Sequence, residues 1–578
     1  MSSVVQAPNP YSSVRLPVFA RNVVSTSHPL AAQAGLHMLR CGGNAVDAAV
    51  AAAAVMTVVE PVSNGLGSDA FALLWVPDAT APGGGRLHGL NASGRAPQAW
   101  TPGYFAAKLG DGAATPPKRG IDSVTVPGAV SGWMALSRRF GRLPFADLMQ
   151  PAIEVAERGY AVPPVVQGKW AAVVNELGGQ PGFSQAFLPK GRAPLVGERF
   201  CFPAAAKAFK ALAATGGEAF YQGEIAQALA RFAAQHGGAL TEADLAAHQP
   251  EWVAPIGLDY GGHRLHEIPP NGQGIAAQMT LGMLRHWDVG SLPVDSVAAQ
   301  HVQIEAMKLA FADVYRFVAD PVAMDVTVEQ LLAPDYLAER ARLIDPRRAQ
   351  AFEAGSPADP HRRGGTIYLT AADEQGMMVS LIQSNYMGFG SGCVEPTFGI
   401  SLQNRGHGFA LPGGLVGADG KGKGNPANLV APGKRPFHTI IPAFLTRPLT
   451  NGQGQPVNGS DGQPLHEPVM SFGVMGANMQ PQGHVQTMVR LLDHGQSLQA
   501  ACDAPRWRFN SGLSINVEAG MNPDTVAGLQ TLGHQVEVIA DSYQDFGAGQ
   551  FIWRQGDPGT DGYMAASDPR RDGLAAGW

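Results

Sequence analysis

The sequence predicts a protein of the α+β class, because two different hydrophobic periods dominate different parts of its 578 residues. In the middle of the chain, as at Val297–Phe317, apolar residues recur at spacings of three and four, which is the period of a helix. From Thr366 to Ala372 polar and apolar residues alternate, a polar turn follows, and residues 377–382 are typical of a returning strand. Hydrophobic residues make up 45% of the chain and charged residues only 15%, so a large buried core is expected.

A buried helix and a buried strand are predicted near the start of the chain. Asn44 can cap a helix over Ala45–Val59, which is apolar on nearly every side and is therefore expected to be buried all round. Pro61 ends this helix. After a polar turn, the apolar stretch 70–76 predicts a buried strand.

The remaining elements follow the same two periods. Helical spacing recurs at residues 143–158, 204–213, Val297–Phe317 and 484–498. Strands are predicted at residues 514–517 and Gln535–Ile539. Two segments rich in Gly and Pro, 411–433 and 446–468, are expected to be surface loops, the second an insertion between strands. No internal repeat is found.

Composition excludes several classes of partner. The chain carries 41 Lys and Arg against 47 Asp and Glu, a net charge of −6 without runs of one sign, so neither a nucleic acid nor a membrane is an expected partner. Its four cysteines form no C-x-x-C pair, which disfavours a disulfide framework and a zinc ribbon. The first residues lack the pattern of a secretory signal, and the longest apolar stretch, 48–59, is too short to span a bilayer, so we expect a cytoplasmic protein.

Common catalytic motifs are missing from the sequence. It has no G-x-S-x-G nucleophile turn and no H-E-x-x-H zinc motif, and residues 420–424 lack the Ser or Thr that a phosphate-binding loop requires after its Lys. The 16 histidines are scattered without the spacing of metal ligands. We therefore expect neither a metal nor an organic cofactor.

One short motif carries possible chemistry. Two arginines and two glycines, residues 362–365, precede Thr366 at the start of the predicted hairpin. If the chain were cut between Gly365 and Thr366, the new α-amine would lie beside the Thr hydroxyl and could act as its general base. The alternative is a plain loop that leads into a strand, and these residues alone favour that alternative.

The sequence resembles the γ-glutamyltransferase family of N-terminal-nucleophile hydrolases over nearly its whole length. Ten matching stretches occur in the family's order: 42–49, 60–61, 126–128, 150–152, 240–245, 269–270, 305–306 with 312–313, 434–436, 504–506 and 566–570. The resemblance implies a four-layer αββα sandwich, made as a precursor that cuts itself before Thr366. The products would be a large chain, residues 1–365, and a small chain, residues 366–578. Together they would form one integrated domain and a heterodimer, with a higher oligomer left open.

The resemblance also implies the catalytic residues. Thr366 matches the nucleophile, and Ser384 matches a hydroxyl of the returning strand that supports it. The glycine-rich oxyanion loop matches residues 473–477, so the backbone N–H groups of Gly476 and Ala477 are the implied donors to the tetrahedral oxyanion. The family has a second glycine where this chain has Ala477.

The implied substrate pocket departs from the family pattern. The family holds an α-carboxylate with an Arg and an α-ammonium with an Asp, and these positions are Ser93 and Gly408 here. The family's Asn on the returning strand is replaced by Tyr386, and its paired serines by His438 and Thr439. Without the Asp, a buried ammonium would cost several kcal/mol, which disfavours a γ-glutamyl substrate.

The altered pocket is similar to the amidohydrolase branch of the family, of the oxamate amidohydrolase and acylase type. We expect Arg405, or Arg95, to pair with a substrate carboxylate, because guanidinium offers a bidentate fork for a planar carboxylate. Tyr386 and His438 are expected to donate hydrogen bonds to it, with Thr439 beside them. For each residue a structural ion pair or core hydrogen bond is the alternative.

Three functions are therefore considered. The first is a self-processing Thr amidohydrolase that cleaves a small carboxylated amide through an acyl-enzyme, with no cofactor. The second is a genuine γ-glutamyltransferase or glutathione hydrolase, which whole-chain similarity favours. The third is a non-catalytic binding protein, which the retained Thr366 and oxyanion loop disfavour.

Overall fold

The computed structural model describes residues 9–12, 15–352, 364–415, 424–541 and 546–578. Two of the sequence features considered above, the arginines 362–363 and the Gly-Lys stretch 420–423, lie outside the described residues. Within the described ranges, no helix is both long enough and apolar enough to cross a membrane.

Strands supply the two inner layers of the fold. In chain order they are β1 (Val18–Ala20), β2 (Val23–Thr26), β3 (Asp69–Pro77), β4 (Gly85–Asn91), β5 (Tyr160–Ala161), β6 (Arg199–Phe200), β7 (Glu251–Val253), β8 (Ile256–Tyr260), β9 (His263–Glu267), β10 (Gly364–Ala372), β11 (Met378–Met387), β12 (Val394–Glu395), β13 (Ile400–Ser401), β14 (Ala443–Pro448), β15 (His466–Met475), β16 (Trp507–Ser511), β17 (Ser514–Glu518), β18 (Gln535–Ile539), β19 (Ala548–Arg554), β20 (Tyr563–Ser567) and β21 (Leu574–Gly577). Seven of these strands form small sheets of two or three strands, and the other fourteen form two seven-stranded sheets, with orders β1-β20-β19-β15-β14-β9-β8 and β21-β2-β10-β11-β3-β4-β7. All neighbouring strands within these two sheets are antiparallel.

Helices supply the two outer layers. They span Pro29–Arg40, Ala45–Val59, Pro102–Leu109, Ala129–Phe140, Phe145–Arg158, Pro164–Leu177, Phe183–Phe187, Pro203–Thr215, Ala219–Gln222, Glu224–Gln235, Glu242–Ala246, Ile275–Leu284, Val297–Phe317, Val328–Leu331, Pro334–Ala341, Met479–Met488, Leu498–Asp503 and Pro523–Thr531. A π-helical turn occupies Val489–Asp493, and short 3-10 turns occupy Pro82–Gly84, Ile121–Ser123, Val289–Ser291, Pro321–Ala323, Arg405–Gly408, Pro412–Gly414 and Pro426–Asn428.

The two sheets pack face to face around a central apolar layer. Their inner faces contribute Phe71, Tyr368, Ile382, Phe444 and Ile552, among others. On the outer face of the β10 sheet, helices such as Ala45–Val59 and Phe145–Arg158 form a second core. On the outer face of the other sheet, helices such as Ile275–Leu284 and Val297–Phe317 form a third. The protein is therefore the four-layer αββα sandwich that the resemblance implies.

The helix Ala45–Val59 confirms the prediction made from its composition. The Asn44 side chain accepts hydrogen bonds from two backbone N–H groups of the first turn, and Asp47 accepts from the Asn44 N–H, which is a capping box. All fifteen residues of the helix are buried. It packs against β10 and β11 and so supports the hairpin that carries Thr366.

The single helix predicted over residues 484–498 is wrong. The structure has a helix Met479–Met488, a π-helical turn, and a separate helix that begins at Leu498. Gly495 adopts a left-handed φ of 60°, which ends the first helix, and the Ser497 side chain caps the next. The apolar period continues across this break and conceals it.

Candidate active site

Thr366 lies at a bulge in the ladder between β10 and β11. The residue before it pairs with Tyr386 and the residue after it pairs with Gln383, so Thr366 alone faces two residues, Ser384 and Asn385. A bulge of this kind bends a strand and redirects a side chain, and bulges are frequent beside active sites. The peptide bond between Gly365 and Thr366 therefore lies in the strand ladder itself.

Thr366 and Ser384 contact each other directly. Their hydroxyl oxygens are 3.0 Å apart, and Thr366 is only 2% exposed. The backbone N–H of Tyr386 donates to the Ser384 hydroxyl oxygen at 2.8 Å. Because Ser384 already accepts this bond, its own proton can be donated to Thr366. The structure thus brings the predicted nucleophile and its predicted supporting hydroxyl together.

Arg405 contacts the end of β11, two residues beyond Ser384. Its guanidinium carbon is 4.1 Å from the centroid of the Tyr386 ring, and its Nη1 donates to the Thr439 hydroxyl at 2.8 Å. Arg405 is fully buried. Tyr386 has a left-handed φ of 76°, which is costly for a bulky side chain and is typical of functional sites. Three of the five predicted substrate residues therefore form one contiguous group.

His438 is the fourth predicted substrate residue. It contacts the carboxylate of Asp69, which was not predicted from the sequence. Its Nε2 lies 3.1 Å from the Asp69 carboxylate oxygen, and both side chains are fully buried. The other Asp69 oxygen accepts the Gly94 N–H at 2.9 Å. Burial raises the pKa of Asp69 to about 6, although the Arg405 and Arg435 guanidinium groups oppose the rise. Burial also lowers the pKa of His438 well below its ordinary value, so the ring is neutral near pH 7.

The predicted oxyanion loop follows β15 directly. Gly476 and Ala477 both have left-handed φ values, 124° and 52°, and the helix Met479–Met488 begins just after them. The Gln273 side-chain nitrogen donates to the carbonyl oxygens of Ala477 at 2.9 Å and of Thr439 at 2.6 Å. Among the described residues, the N–H groups of Gly476 and Ala477 donate no hydrogen bond to protein. They can therefore serve an oxyanion.

Arg95 belongs to a different cluster. Its guanidinium lies 2.7 Å from Glu251 and 3.6 Å from Asp320, and its side chain is 38% exposed. It also donates to the Gly433 carbonyl oxygen at 3.1 Å. None of these partners is Thr366, Ser384 or Arg405. Of the two predicted guanidinium groups, Arg405 is the one that contacts β11, the strand of Ser384.

The position that carries an Asp in the family is structurally constrained here. A Cβ added to Gly408 would lie 2.9 Å from the Phe437 carbonyl oxygen. An Asp there would require the neighbouring backbone to shift. The packing around Gly408 therefore disfavours any larger residue at this position.

Two residues of this site were not predicted from the sequence. Asp69 is the first residue of β3 and lies opposite Ser384 in the ladder, while Gln273 lies just before the helix Ile275–Leu284. An Asp at the start of an apolar strand is a recognisable signal, because Asp is almost never fully buried without a partner. Gln273 offered no comparable signal.

A buried cluster elsewhere resembles a metal site in composition. Ligand atoms of His301, Glu305 and His534 lie within 4.8 Å of one another. The Lys308 ammonium, however, lies 2.6 Å from Glu305 and 3.4 Å from His534 Nδ1. Because a cation already occupies this cluster, it is a buried ion-pair network.

Comparison with known proteins agrees with this geometry. The Gamma-glutamyltranspeptidase family matches residues 31–578. Oxamate amidohydrolase proenzyme of Klebsiella pneumoniae is 36% identical over 95% of this chain and 97% of its own length. Glutathione hydrolase-like YwrD proenzyme of Bacillus subtilis is 33% identical over 96% and 98%.

Solved structures give the same result. The crystal structure of cephalosporin acylase from Bacillus halodurans is 44% identical, covers 99% of this chain and 98% of its own, and superposes with a TM-score of 0.86. Both the sequence and the fold are thus shared along nearly the whole chain. The protein is an enzyme of the gamma-glutamyltranspeptidase family, with the fold of the N-terminal-nucleophile hydrolases.

Proposed function

We propose that the protein is a self-processing Thr amidohydrolase that cleaves small carboxylated amides. The observation that carries the proposal is the 3.0 Å contact between the hydroxyls of Thr366 and Ser384 at the bulge between β10 and β11. It supplies an oriented nucleophile at the position where family resemblance expects the chain to be cut.

Processing begins with attack of Thr366 Oγ on the carbonyl carbon of Gly365. The C–N bond breaks, the Thr nitrogen takes the proton, and the resulting ester is hydrolysed by water. The products are chains 1–365 and 366–578. They remain together because residues 369–372 of β10, in the small chain, pair with β2, and β11 pairs with β3. Both β2 and β3 belong to the large chain.

Turnover uses the α-amine that processing frees. This amine accepts the proton of Thr366 Oγ as the hydroxyl attacks the substrate amide, and the N–H groups of Gly476 and Ala477 hold the oxyanion. The leaving amine departs with a proton and an acyl-enzyme remains. Water, activated by the same α-amine, then releases the acid.

The charges of the site favour an acyl group without an α-ammonium. Arg405 offers a buried guanidinium to a substrate carboxylate, with Tyr386 stacked on it. Asp69 is the nearby carboxylate that could replace the family's ammonium ligand. Its oxygens, however, already accept from His438 and Gly94, so an ammonium would displace existing bonds. The relative named for oxamate, an acid amide without an amine, agrees with this substrate class.

A matched pair of substrates tests the proposal. Glutaryl-4-nitroanilide and γ-glutamyl-4-nitroanilide differ only in the α-ammonium, and nitroaniline release reports cleavage of both. We expect the glutaryl compound to be cleaved at least about 100-fold faster, since an unpaired buried ammonium costs several kcal/mol. Ammonia release from oxamate is measured in parallel, and Thr366→Ala is the blank. Faster cleavage of the γ-glutamyl compound would refute the proposed class.

The second candidate is a γ-glutamyltransferase or glutathione hydrolase. The 33% identical relative whose name contains "glutathione hydrolase-like" favours it. It predicts the opposite preference in the same assay, with further acceleration by glycylglycine if transfer occurs.

A further inference from the structure

Residues 438–441 connect three parts of the site. The Thr439 hydroxyl accepts from Arg405, and its carbonyl oxygen accepts from Gln273, which also holds Ala477 of the oxyanion loop. The Ile441 N–H donates to Gln480 at the start of the following helix. The position of residues 438–441 therefore determines where the Arg405 guanidinium and the oxyanion loop lie.

The His438 ring fixes this segment through both of its nitrogens. Its Nδ1 accepts the Ile440 N–H at 3.3 Å, so the ring proton must be on Nε2, which donates to Asp69 at 3.1 Å. Both nitrogens are thus engaged within the protein. This arrangement gives His438 a partner other than the substrate carboxylate expected from the sequence.

Asp69 connects this ring to β11, the strand that carries Ser384. It lies opposite Ser384 in the ladder between β3 and β11, and its second oxygen accepts the Gly94 N–H. It is fully buried. One carboxylate therefore joins the backbone next to Ser384 with the segment that holds Thr439.

We propose that Asp69 is a positioning residue that acts through His438 to align Thr439 and Arg405 for the substrate carboxylate. The inference rests on the proposed function, because it assigns Arg405 as the carboxylate anchor. Asp69→Asn would leave one acceptor oxygen for two donors, the Gly94 N–H and the His438 Nε2–H. If that oxygen keeps the Gly94 N–H, the amide NH₂ faces His438 Nε2. The ring proton would then move to Nδ1 and face the Ile440 N–H, and the segment would shift.

The variants separate this role from a purely structural one. Asp47 is the matched control, since it is equally buried and accepts the backbone N–H groups of Asn44, Arg142 and Leu143, none of which is a residue of the site. His438→Gln keeps a donor for Asp69, whereas His438→Asn keeps only the acceptor for Ile440. The two His438 variants carry the test if Asp69→Asn fails to fold or to process.

The readout is the ratio of kcat/KM for glutaryl-4-nitroanilide to kcat/KM for butyryl-4-nitroanilide, which lacks the carboxylate. We expect Asp69→Asn and His438→Asn to lower this ratio at least about 10-fold, whereas Asp47→Asn and His438→Gln keep it within about threefold. A fold defect lowers both rates together and leaves the ratio unchanged. An unchanged ratio in both Asp69→Asn and His438→Asn would overturn the inference, whereas wild-type protein that cleaves neither anilide would refute the proposed function instead.

Discussion

The hydroxyl oxygen of Thr366 lies 3.0 Å from that of Ser384, across a bulge that leaves Thr366 opposite two residues of the neighbouring strand. A regular ladder would set one residue against one. The bulge instead directs the Thr366 side chain toward a hydroxyl that is itself held by the Tyr386 N–H. The Thr366 hydroxyl is therefore already oriented in the uncleaved chain.

Ser384→Ala is expected to slow both processing and hydrolysis. Loss of one buried hydrogen bond is worth about 1 kcal/mol or somewhat more, which corresponds to roughly a tenfold change in rate. Processing is measured by the time course of chain cleavage and hydrolysis by nitroaniline release. Ser380→Ala is the control, because Ser380 lies on the same strand and bonds the Tyr368 hydroxyl at 2.7 Å. Equal rates for wild type and Ser384→Ala would show that the contact has no catalytic role.

Arg405→Ala is expected to reduce hydrolysis of glutaryl-4-nitroanilide strongly. Truncating one partner of a buried charge pair costs about 2–5 kcal/mol, which is roughly 30-fold or more in kcat/KM. Arg95→Ala removes the other candidate guanidinium, which is partly exposed and paired with Glu251, and should change the rate by less than about fivefold. If Arg95→Ala has the larger effect, the carboxylate anchor has been assigned to the wrong arginine.

Asp568→Asn is expected to destabilise the protein rather than change its specificity. Asp568 lies 2.7 Å from Arg506 and 3.1 Å from Arg570, all three buried. Removing one charge from such a group costs about 3–5 kcal/mol of unfolding free energy. Asp259→Asn breaks an exposed pair with Arg264 and should cost less than about 1 kcal/mol. Urea denaturation of both variants would measure the difference, and equal losses would contradict this account.

The same carboxylate predicts a pH dependence of stability. Burial alone would raise the pKa of Asp568. The Arg506 and Arg570 guanidinium groups outweigh this effect and lower the pKa to about 2. The folded state therefore binds the proton more weakly than the unfolded state, so this contribution is present above the ordinary pKa near 4 and is lost as the pH falls toward 2. Between about pH 4 and pH 2, the free energy of unfolding of Asp568→Asn should therefore fall less than that of the wild type.

Elements with a complete local signal could be predicted from the sequence. The helix Val297–Phe317 and the strand Gln535–Ile539 have the predicted bounds. The returning strand was predicted to end at Ile382 but extends to Met387. Its continuation is polar and nevertheless buried, because residues such as Gln383 bond to the Ala53 carbonyl oxygen and to Asn64. Such partners, distant in sequence, leave no periodic pattern.

The site was predictable only where its residues are close in sequence or match a family motif. Thr366 and Ser384 both lie on one hairpin, and both were identified from their match to the family. Asp69 and His438 are 369 positions apart, and their contact depends on how the two sheets are stacked. The role of Arg95 was equally undetermined, since its position beside Glu251 depends on the pairing of β4 with β7.

The intact mass of the purified protein tests the central claim most directly. In proportion to the 60.5 kDa of the whole chain, cleavage before Thr366 predicts fragments of about 38 and 22 kDa in the wild type. Thr366→Ala should remain a single uncut chain, because the attacking hydroxyl is gone. A wild-type protein that stays full-length, or a Thr366→Ala variant that is still cut at Gly365, would contradict a self-processing Thr nucleophile.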